Sequence, residues 1–295
     1  MAASHRPLLV AFLLACADGV AAEFPATELV LPGLVSTPAT EVKLTISPDG
    51  QRMLWGTAGW GDGQTGWDIY ESVRQGGQWS APAPVAFNSA ANDFDPFFTH
   101  DGSAVYFFSN RSGGEGGDDL YRVAFDAARG YGDAANLGPV INTPGDEWAP
   151  VVSFDGTRLL FSSDGHGGEG GHDLFIAGRK ADGWGAPQPL GAPVNGPAQD
   201  FDGAFVGDDA TIVFASGELE TEPYARLHVT RREGGGWSRP QALGPAVNCD
   251  GGLTIGPSVS VADPAGLYLA TGCRGGPGRM DVYRIPVETA LAPPP

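Results

Sequence analysis

The chain has 295 residues, including 45 glycines and 25 prolines, and its formal net charge is −18. This charge argues against nucleic acid and anionic membranes as partners, because a site for phosphate groups needs clustered Lys and Arg. Gly and Pro separate short runs rich in Val, Leu, Phe, Tyr and Trp, which is typical of a turn-rich all-β protein without long amphipathic helices.

The first 22 residues have the features of a signal peptide. Arg6 precedes a short apolar run at residues 8–15, and Val20, Ala21 and Ala22 form a small-residue cleavage site before Glu23. The run is too short to span a bilayer as a helix, and no other segment is apolar enough to do so. We therefore expect a periplasmic or secreted protein. The alternative is a lipoprotein anchored through Cys16, because residues 13–16 (LLAC) resemble a lipobox.

Five copies of one phrase then follow at intervals of 52 to 54 residues. Each copy has an Asp-centred turn followed by a β-rich run. The anchor acids are Asp49, Asp101, Asp155, Asp209 and Asp263. A period of this length predicts an array of one supersecondary unit, because a single small sheet must stack on neighbours to bury its faces.

The third copy shows the four strands of one unit. Residues 149–153 form a first apolar run, a turn leads to a return strand at 158–162, and a Gly-rich loop leads to a third strand at 172–177. Residues 187–190 are the best candidate for an outer strand. Four antiparallel strands in about 54 residues predict one blade of a β-propeller.

The whole repeat predicts one all-β domain over residues 23–289, a five-bladed propeller of four-stranded antiparallel blades. The fifth unit ends without an outer strand, whereas residues 28–34 (ELVLPGL) match the outer-strand segments. An N-terminal strand is therefore expected to complete the last blade and close the ring, removing an exposed sheet edge. Residues 290–295 are expected to form a disordered Pro-rich tail. The repeats lie near residues 41–92, 93–145, 146–199, 200–250 and 251–289.

The repeated segments SPDGQRMLW, DPFFTHDGSAVYFFSNRSGGEGGDDLY and APVVSFDGTRLLFSSDGHGGEGGHDLF resemble the WD40-like PD40 repeat. This repeat occurs in the propeller of TolB and in many bacterial envelope proteins. The pieces DGWGAPQPLGAPVN and NLGPVINTPGDEW are similar to a variant often joined to OmpA-type domains. The resemblance covers nearly all of the mature chain and implies a propeller that serves as a binding platform. The fourth unit departs from the pattern at residues 207–210.

Acidic residues recur just before the first strand of the units. They are Glu41, Asp93, Asp95, Asp146, Glu147, Asp200 and Asp202, with Asp250 more distant. The first strand of a propeller blade lines the central channel, so these acids could ring one mouth of it. Such a ring could bind a ligand, Ca²⁺ or another divalent cation, or supply the acid and base of a glycosidase. The alternative is that the acids cap turns.

Two further features concern binding. Trp148 and Trp60 depart from the repeat pattern and are candidates for a surface that stacks on a sugar or a peptide.

The Gly-rich loop at residues 164–173 contains His166, Glu169 and His172 at three-residue steps. This spacing could bring metal ligands together, although a repeat-derived turn explains it as well.

Cys249 and Cys273 lie in the last repeat on opposite sides of the Asp263 turn. An antiparallel hairpin would bring these positions together, so we expect a disulfide, as is usual for an exported protein.

Motifs for nucleophilic catalysis or phosphate binding are missing from the sequence. The sequence therefore predicts an exported, monomeric, non-enzymatic scaffold that binds an envelope protein or glycan through one face. The alternative is a glycoside hydrolase or polysaccharide lyase that uses the channel carboxylates.

Overall fold

The computed structural model describes residues 27–58, 66–219 and 223–293, and within them the chain forms 23 β-strands and one short helix. The predicted signal peptide, Cys16 and Trp60 lie outside the described residues. Strand β1 is Glu28–Leu29. Blade 1 contains β2 (Thr40–Ile46), β3 (Arg52–Ala58), β4 (Trp67–Gln75), β5 (Gln78–Trp79) and β6 (Ala83–Pro84). Blade 2 contains β7 (Asp93–Phe98), β8 (Ala104–Ser109), β9 (Asp119–Asp126) and β10 (Gly130–Asn136).

The remaining three blades follow in chain order. Blade 3 contains β11 (Glu147–Val152), β12 (Arg158–Ser163), β13 (Asp173–Lys180), β14 (Gly183–Trp184) and β15 (Gln188–Pro189). Blade 4 contains β16 (Gln199–Phe205), β17 (Thr211–Glu218), β18 (Tyr224–Glu233), β19 (Gly236–Trp237) and β20 (Gln241–Ala242). Blade 5 contains β21 (Thr254–Ser260), β22 (Asp263–Thr271) and β23 (Asp281–Pro286), and helix α1 (Val287–Ala290) follows.

The blades form a closed ring. Every blade is an antiparallel sheet in which the first strand pairs with the second and the second with the third. Each innermost strand (β2, β7, β11, β16, β21) contacts the innermost strands of the two adjacent blades, and β21 contacts β2. The predicted five-bladed propeller of four-stranded antiparallel blades is therefore confirmed.

The outer edge of three blades is broken into two short strands by proline. Pro82, Pro187 and Pro240 lie between the two pieces in blades 1, 3 and 4. Proline has no N–H to donate to the ladder, so it interrupts an edge strand. Blade 2 has no proline there, and β10 runs unbroken against β9 with a bulge between Tyr131 and Ala134.

Strand β1 completes blade 5, as the sequence predicted. Glu28 is paired with Arg284 and Leu29 with Tyr283, and the Val30 N–H donates to the Val282 carbonyl at 2.9 Å. The strand is shorter than the predicted segment 28–34. Leu31 and Gly33 adopt φ of 40° and 81°, so the chain turns away instead of continuing along β23.

Large apolar side chains from the second strands fill the space between the blades. Trp55, Tyr106, Phe107, Phe161 and Phe214 are almost fully buried. Burial of such a side chain contributes about 1.5–3 kcal/mol. The repeated pattern of the second strands therefore supplies the core that holds neighbouring blades together.

A β-bulge interrupts every innermost strand at the same place. The bulged residues are Lys43, Asp95, Ala149, Asp202 and Gly256, and their φ values lie between 51° and 62°. Four of them have a side chain in the left-handed region, which is uncommon outside Gly, Asn and Asp. A bulge bends the strand and redirects its side chains, so the fivefold repetition shapes the channel wall.

The Asp-centred turns are alike in only three of the five repeats. Asp49, Asp101 and Asp155 each accept a hydrogen bond from a Ser or Thr hydroxyl two residues earlier, at 2.6 Å. In blade 4 the equivalent turn is capped by Asp208, which accepts the Ala210 N–H at 2.9 Å. Asp263 begins β22 and binds Arg284. The fourth and fifth anchor acids therefore differ in role from the first three.

The predicted disulfide between Cys249 and Cys273 is present. It joins the segment before β21 to the segment after β22. Ala290, at the start of the predicted tail, is buried at the end of α1, while residues 294–295 lie outside the described range. No helix in the described residues is long and apolar enough to cross a membrane.

Candidate functional site

A cavity of about 430 Å³ opens at the mouth of the channel where the innermost strands begin. We call it the channel-mouth cavity. Each blade contributes the residue just before its bulge, and all five of these residues are apolar. They are Val42, Phe94, Trp148, Phe201 and Ile255. Because one side chain comes from each innermost strand, the cavity lies on the axis of the ring.

Residues at the ends of the second and third strands and in the adjoining loops form the walls of the cavity. Trp67 packs on Phe94 with ring centroids 4.4 Å apart, and Phe94 lies 6.0 Å from Phe108. Leu219, Leu253 and Met280 complete the apolar lining on the side of blades 4 and 5. The wall is therefore mainly aromatic on the side of blades 1 to 3, whereas on the side of blades 4 and 5 aliphatic residues surround Phe201.

Two carboxylates reach the cavity from the bulged positions. Asp95 and Asp202 both line it, although the two residues are only 5% and 4% exposed. Asp202 accepts the N–H of Gly256 at 2.8 Å. Lys43, the bulged residue of blade 1, donates from Nζ to the Pro257 carbonyl at 3.1 Å and attracts both carboxylates. One lysine opposite two acids leaves the channel net negative when all three groups are charged.

The environment favours the protonated form of both acids. Burial raises the pKa of Asp95 well above its usual value, and the charge of Asp202 raises it further. Burial also raises the pKa of Asp202, whereas Lys43 and the Gly256 N–H act in the opposite direction. Asp118, a third carboxylate on the cavity wall, likewise has a raised pKa, chiefly because of burial.

The predicted acids Glu41, Asp93 and Asp200 lie elsewhere. Each is buried and accepts hydrogen bonds from the turn that precedes its strand, and the donors are the N–H groups of Thr37, Ser89 and Gly196. Asp93 also pairs with Arg111. In the described structure these three side chains cap turns and are not part of the cavity lining.

The equivalent capping residue of blade 3 is Glu147, one residue after the predicted Asp146. Glu147 accepts the Thr143 N–H at 2.9 Å and the Ser163 hydroxyl at 2.7 Å. Burial raises the pKa of Glu41 to about 7 and also raises that of Glu147 and Asp200. Asp146 is left in a different environment, beside the Gly-rich loop of the same blade.

Trp148, which the sequence analysis selected as a candidate for a stacking surface, lies on the cavity wall. Its indole Nε1 donates to Asp118 at 2.8 Å, and its ring stacks on His172 with centroids 3.6 Å apart and an interplanar angle of 15°. His172 is buried, which lowers its pKa.

The structure separates the three predicted metal-ligand candidates of the Gly-rich loop. The imidazole Nε2 of His166 lies 2.7 Å from the Ile141 carbonyl, in a hydrogen bond that fixes it to the protein. Glu169 is exposed, and its backbone N–H donates to Asp173 at 2.7 Å. His172 alone of the three lies next to the cavity wall.

Sequence reasoning did not find the apolar ring of the cavity. A signal for it was present, because the residue after Glu41, Asp93, Glu147, Asp200 and Thr254 is apolar in all five repeats. With Asp146 instead of Glu147 as the acid of blade 3, the third repeat is aligned one residue out of register with the other four. The apolar position after the acid then no longer matches in all five repeats. A shift of one residue in a strand exchanges the two faces.

Fold and cavity together define a five-bladed β-propeller with an apolar, partly acidic cavity at one mouth of its channel. The sequence matches no known protein-family profile and no curated protein. The structure is similar to that of a putative TolB from Agrobacterium tumefaciens, with a TM-score of 0.54 and 15% identity. That similarity covers 86% of this chain and 79% of the other.

Two further solved propellers have lower TM-scores. TolB from Acinetobacter baumannii has a TM-score of 0.48 and 12% identity over 85% of this chain and 55% of its own. The periplasmic gluconolactonase PpgL from Pseudomonas aeruginosa has a TM-score of 0.48 and 16% identity over 78% and 64%. Identities this low show a shared fold, and function has to be argued from the site itself.

Proposed function

We propose that this protein is an exported, monomeric propeller of the PD40 type that binds an envelope protein through the channel-mouth cavity and catalyses no reaction. The observation that carries this proposal is the ring of five apolar side chains, one from each blade, around a concave opening. A well-formed apolar cavity with a few polar groups is the usual form of a binding site.

The lining favours a peptide segment over a glycan. A glycan presents many hydroxyl groups and needs many polar partners, because an unpaired buried polar group is unfavourable. The polar side chains of the lining are few, namely Thr40, Asn92, Asp95, Asp118 and Asp202. An apolar side chain of a partner would fill the cavity without leaving its own polar groups unpaired.

The charge of the cavity indicates the second property of the partner. Asp95, Asp118 and Asp202 line the cavity, and Lys43 acts on Asp95 and Asp202. A basic group entering the cavity would favour the ionised form of these acids and would be attracted to them. A segment with an apolar residue next to Lys or Arg satisfies both conditions.

Selection from a library of displayed peptides would test this proposal. We expect enrichment of peptides with apolar and basic residues, and at least a tenfold weaker Kd for Trp148→Ala by fluorescence anisotropy with a selected peptide. Trp79→Ala, a change of the same residue type at the outer edge of blade 1, is the control and should leave Kd unchanged. Equal binding by both variants, or enrichment on a glycan array instead, would contradict the proposal.

A second candidate function is hydrolysis or lyase cleavage of a polysaccharide. It is favoured by two buried carboxylates of raised pKa, Asp95 and Asp202, beneath aromatic walls that could stack on sugars. A screen of plant and bacterial polysaccharides for released reducing ends would test it. Turnover lost in Asp95→Asn and Asp202→Asn, but kept in Asp93→Asn, would replace the binding proposal.

The proposed export rests on the predicted signal peptide and is supported by the disulfide in blade 5. The mass of the mature protein distinguishes the two forms. We expect a chain that starts at Glu23, whereas a diacylated N-terminal Cys16 would show the lipoprotein.

A further inference from the structure

Three side chains of blade 3 form a compact group beside the channel-mouth cavity. A carboxylate oxygen of Asp146, one of Asp164 and a ring nitrogen of His172 all lie within 4.8 Å of one another. Asp146 precedes β11, Asp164 follows β12 and His172 precedes β13, so three separate segments converge there. We call these residues the blade 3 cluster.

Backbone hydrogen bonds fix both carboxylates. Asp164 accepts the Asp146 N–H on Oδ1 at 2.8 Å, and Asp146 accepts the Asp118 N–H on Oδ1 at 2.7 Å. Each carboxylate therefore uses one oxygen to orient itself and keeps its Oδ2 for another partner. The arrangement places two negative charges together without a Lys or Arg ion pair to either residue in the described structure.

His172 supplies an independent observation. The residue is 5% exposed, and its Nε2 is buried without a hydrogen-bond partner among the described residues. Its Nδ1 lies 3.3 Å from Gln199 Oε1, which can only accept, so Nδ1 carries the proton and Nε2 carries the lone pair. An unpartnered buried nitrogen is unfavourable unless something binds it.

The same features are those of a metal-ligating histidine. Such a histidine commonly donates its second ring N–H to an oxygen acceptor, which fixes the tautomer and the ring orientation. Gln199 provides that acceptor, and the stacked ring of Trp148 holds the plane of the imidazole. The lone pair on Nε2 is then available to a metal ion or to a hydrogen-bond donor.

We propose that Asp146, Asp164 and His172 bind a divalent first-row transition metal, with Zn²⁺ as the representative ion. One imidazole and two carboxylates suit such an ion, whereas Ca²⁺ and Mg²⁺ prefer oxygen ligands throughout. Zn²⁺ lies about 2.1 Å from its ligands, so the cluster closes slightly around the ion. Five glycines at residues 165, 167, 168, 170 and 171 allow the loop to adjust.

Three protein ligands leave a coordination position for water or for a group of a bound partner. The site lies against the cavity because Trp148 belongs to the lining and stacks on His172. A bound ion would fix that wall of the cavity. The site stands independently of the proposed function, since it depends on none of the apolar ring contacts.

The test is isothermal titration calorimetry of ZnCl₂ into the untagged, disulfide-bonded mature protein after treatment with a chelator. We expect one ion per chain and a higher Tm with ZnCl₂ present. Asp164→Asn keeps the oxygen that accepts the Asp146 N–H but removes the charge, and it should weaken Zn²⁺ binding at least tenfold. His172→Gln should do the same.

Glu169→Gln is the matched control, because it removes an acid from the same loop outside the cluster. Its affinity for Zn²⁺ should equal that of the parent protein. Absence of stoichiometric binding to the parent, or unchanged binding in a folded Asp164→Asn variant, would overturn the site. Tighter binding of CaCl₂ than of ZnCl₂ would overturn the assignment to a transition metal.

Discussion

At the scale of single residues, Asp209 shows how one repeat position acquired a different role. Its Oδ1 accepts the Phe154 N–H at 2.7 Å and its Oδ2 accepts the Asp155 N–H at 3.2 Å, while Arg158 lies 3.5 Å away. Asp209 therefore connects the turn of blade 3 to blade 4. Its neighbour Asp208 caps the local turn in its place.

We predict that Asp209→Ala lowers the free energy of unfolding by about 2 kcal/mol, because hydrogen bonds to a charged group are worth more than neutral ones. Asp208→Ala, the adjacent control, removes one exposed contact and should have a much smaller effect. Urea denaturation of the two variants measures the difference. Equal losses of unfolding free energy in the two variants would show that the contact between blades 3 and 4 stabilises the protein no more than an exposed turn contact does.

At the scale of elements, the ring depends on a strand of two residues. Strand β1 covers the edge of β23, and Val35, a few residues later, is fully buried. Sequence reasoning identified this closure from the missing outer strand of the fifth repeat. The sequence did not predict how short β1 is. The strand ends at the turn formed by Leu31 and Gly33, and that turn depends on how the chain must reach blade 1.

Deletion of residues 23–35 should destabilise the protein by about 3 kcal/mol and lower Tm by roughly 10 °C, because it exposes a sheet edge and removes buried side chains. The shorter deletion of residues 23–27 keeps β1 and is the control. Differential scanning calorimetry gives both values. A melting temperature for the longer deletion within a degree or two of the parent would show that β1 does not close the ring.

At the scale of the whole molecule, buried acids make stability depend on pH. The pKa of Glu41 is raised to about 7, and burial raises the pKa of Glu147, Asp200, Asp95 and Asp202 as well. An acid with a raised pKa binds more protons in the folded state than in the unfolded state. Its contribution to stability is therefore lost as pH rises from the unfolded pKa to the folded one.

We predict that Tm falls as pH rises from 5 to 8 at constant ionic strength, because the buried acids outweigh His100, His172 and His228, whose lowered pKa values act in the opposite direction. Hydrogen bonds from the turns lower the pKa of Asp49 and Asp155, so acidification below about pH 4 also destabilises the protein. Glu41→Gln should show a smaller fall in Tm between pH 5 and 8, whereas Glu233→Gln, on the exposed end of β18, should match the parent. A Tm that rises over this range would contradict the prediction.

The sequence by itself determined the all-β class, the five blades, the N-terminal closure and the Cys249–Cys273 pair. These features follow from local patterns that repeat along the chain. Apolar alternation and turn residues define the strands, and the period counts the blades. The missing strand of the last repeat indicates where the ring must close.

Only the tertiary structure decided which side chains form the cavity and the blade 3 cluster. The bulges at Lys43, Asp95, Ala149, Asp202 and Gly256 set which residue of each innermost strand faces the channel. A one-residue difference in register exchanges a capping acid such as Glu147 for a wall residue such as Trp148. The physical reason is that the wall residues lie about fifty positions apart and the cluster residues 8 to 26 positions apart, so they meet only when strands pair and blades pack, and no local pattern records their distances.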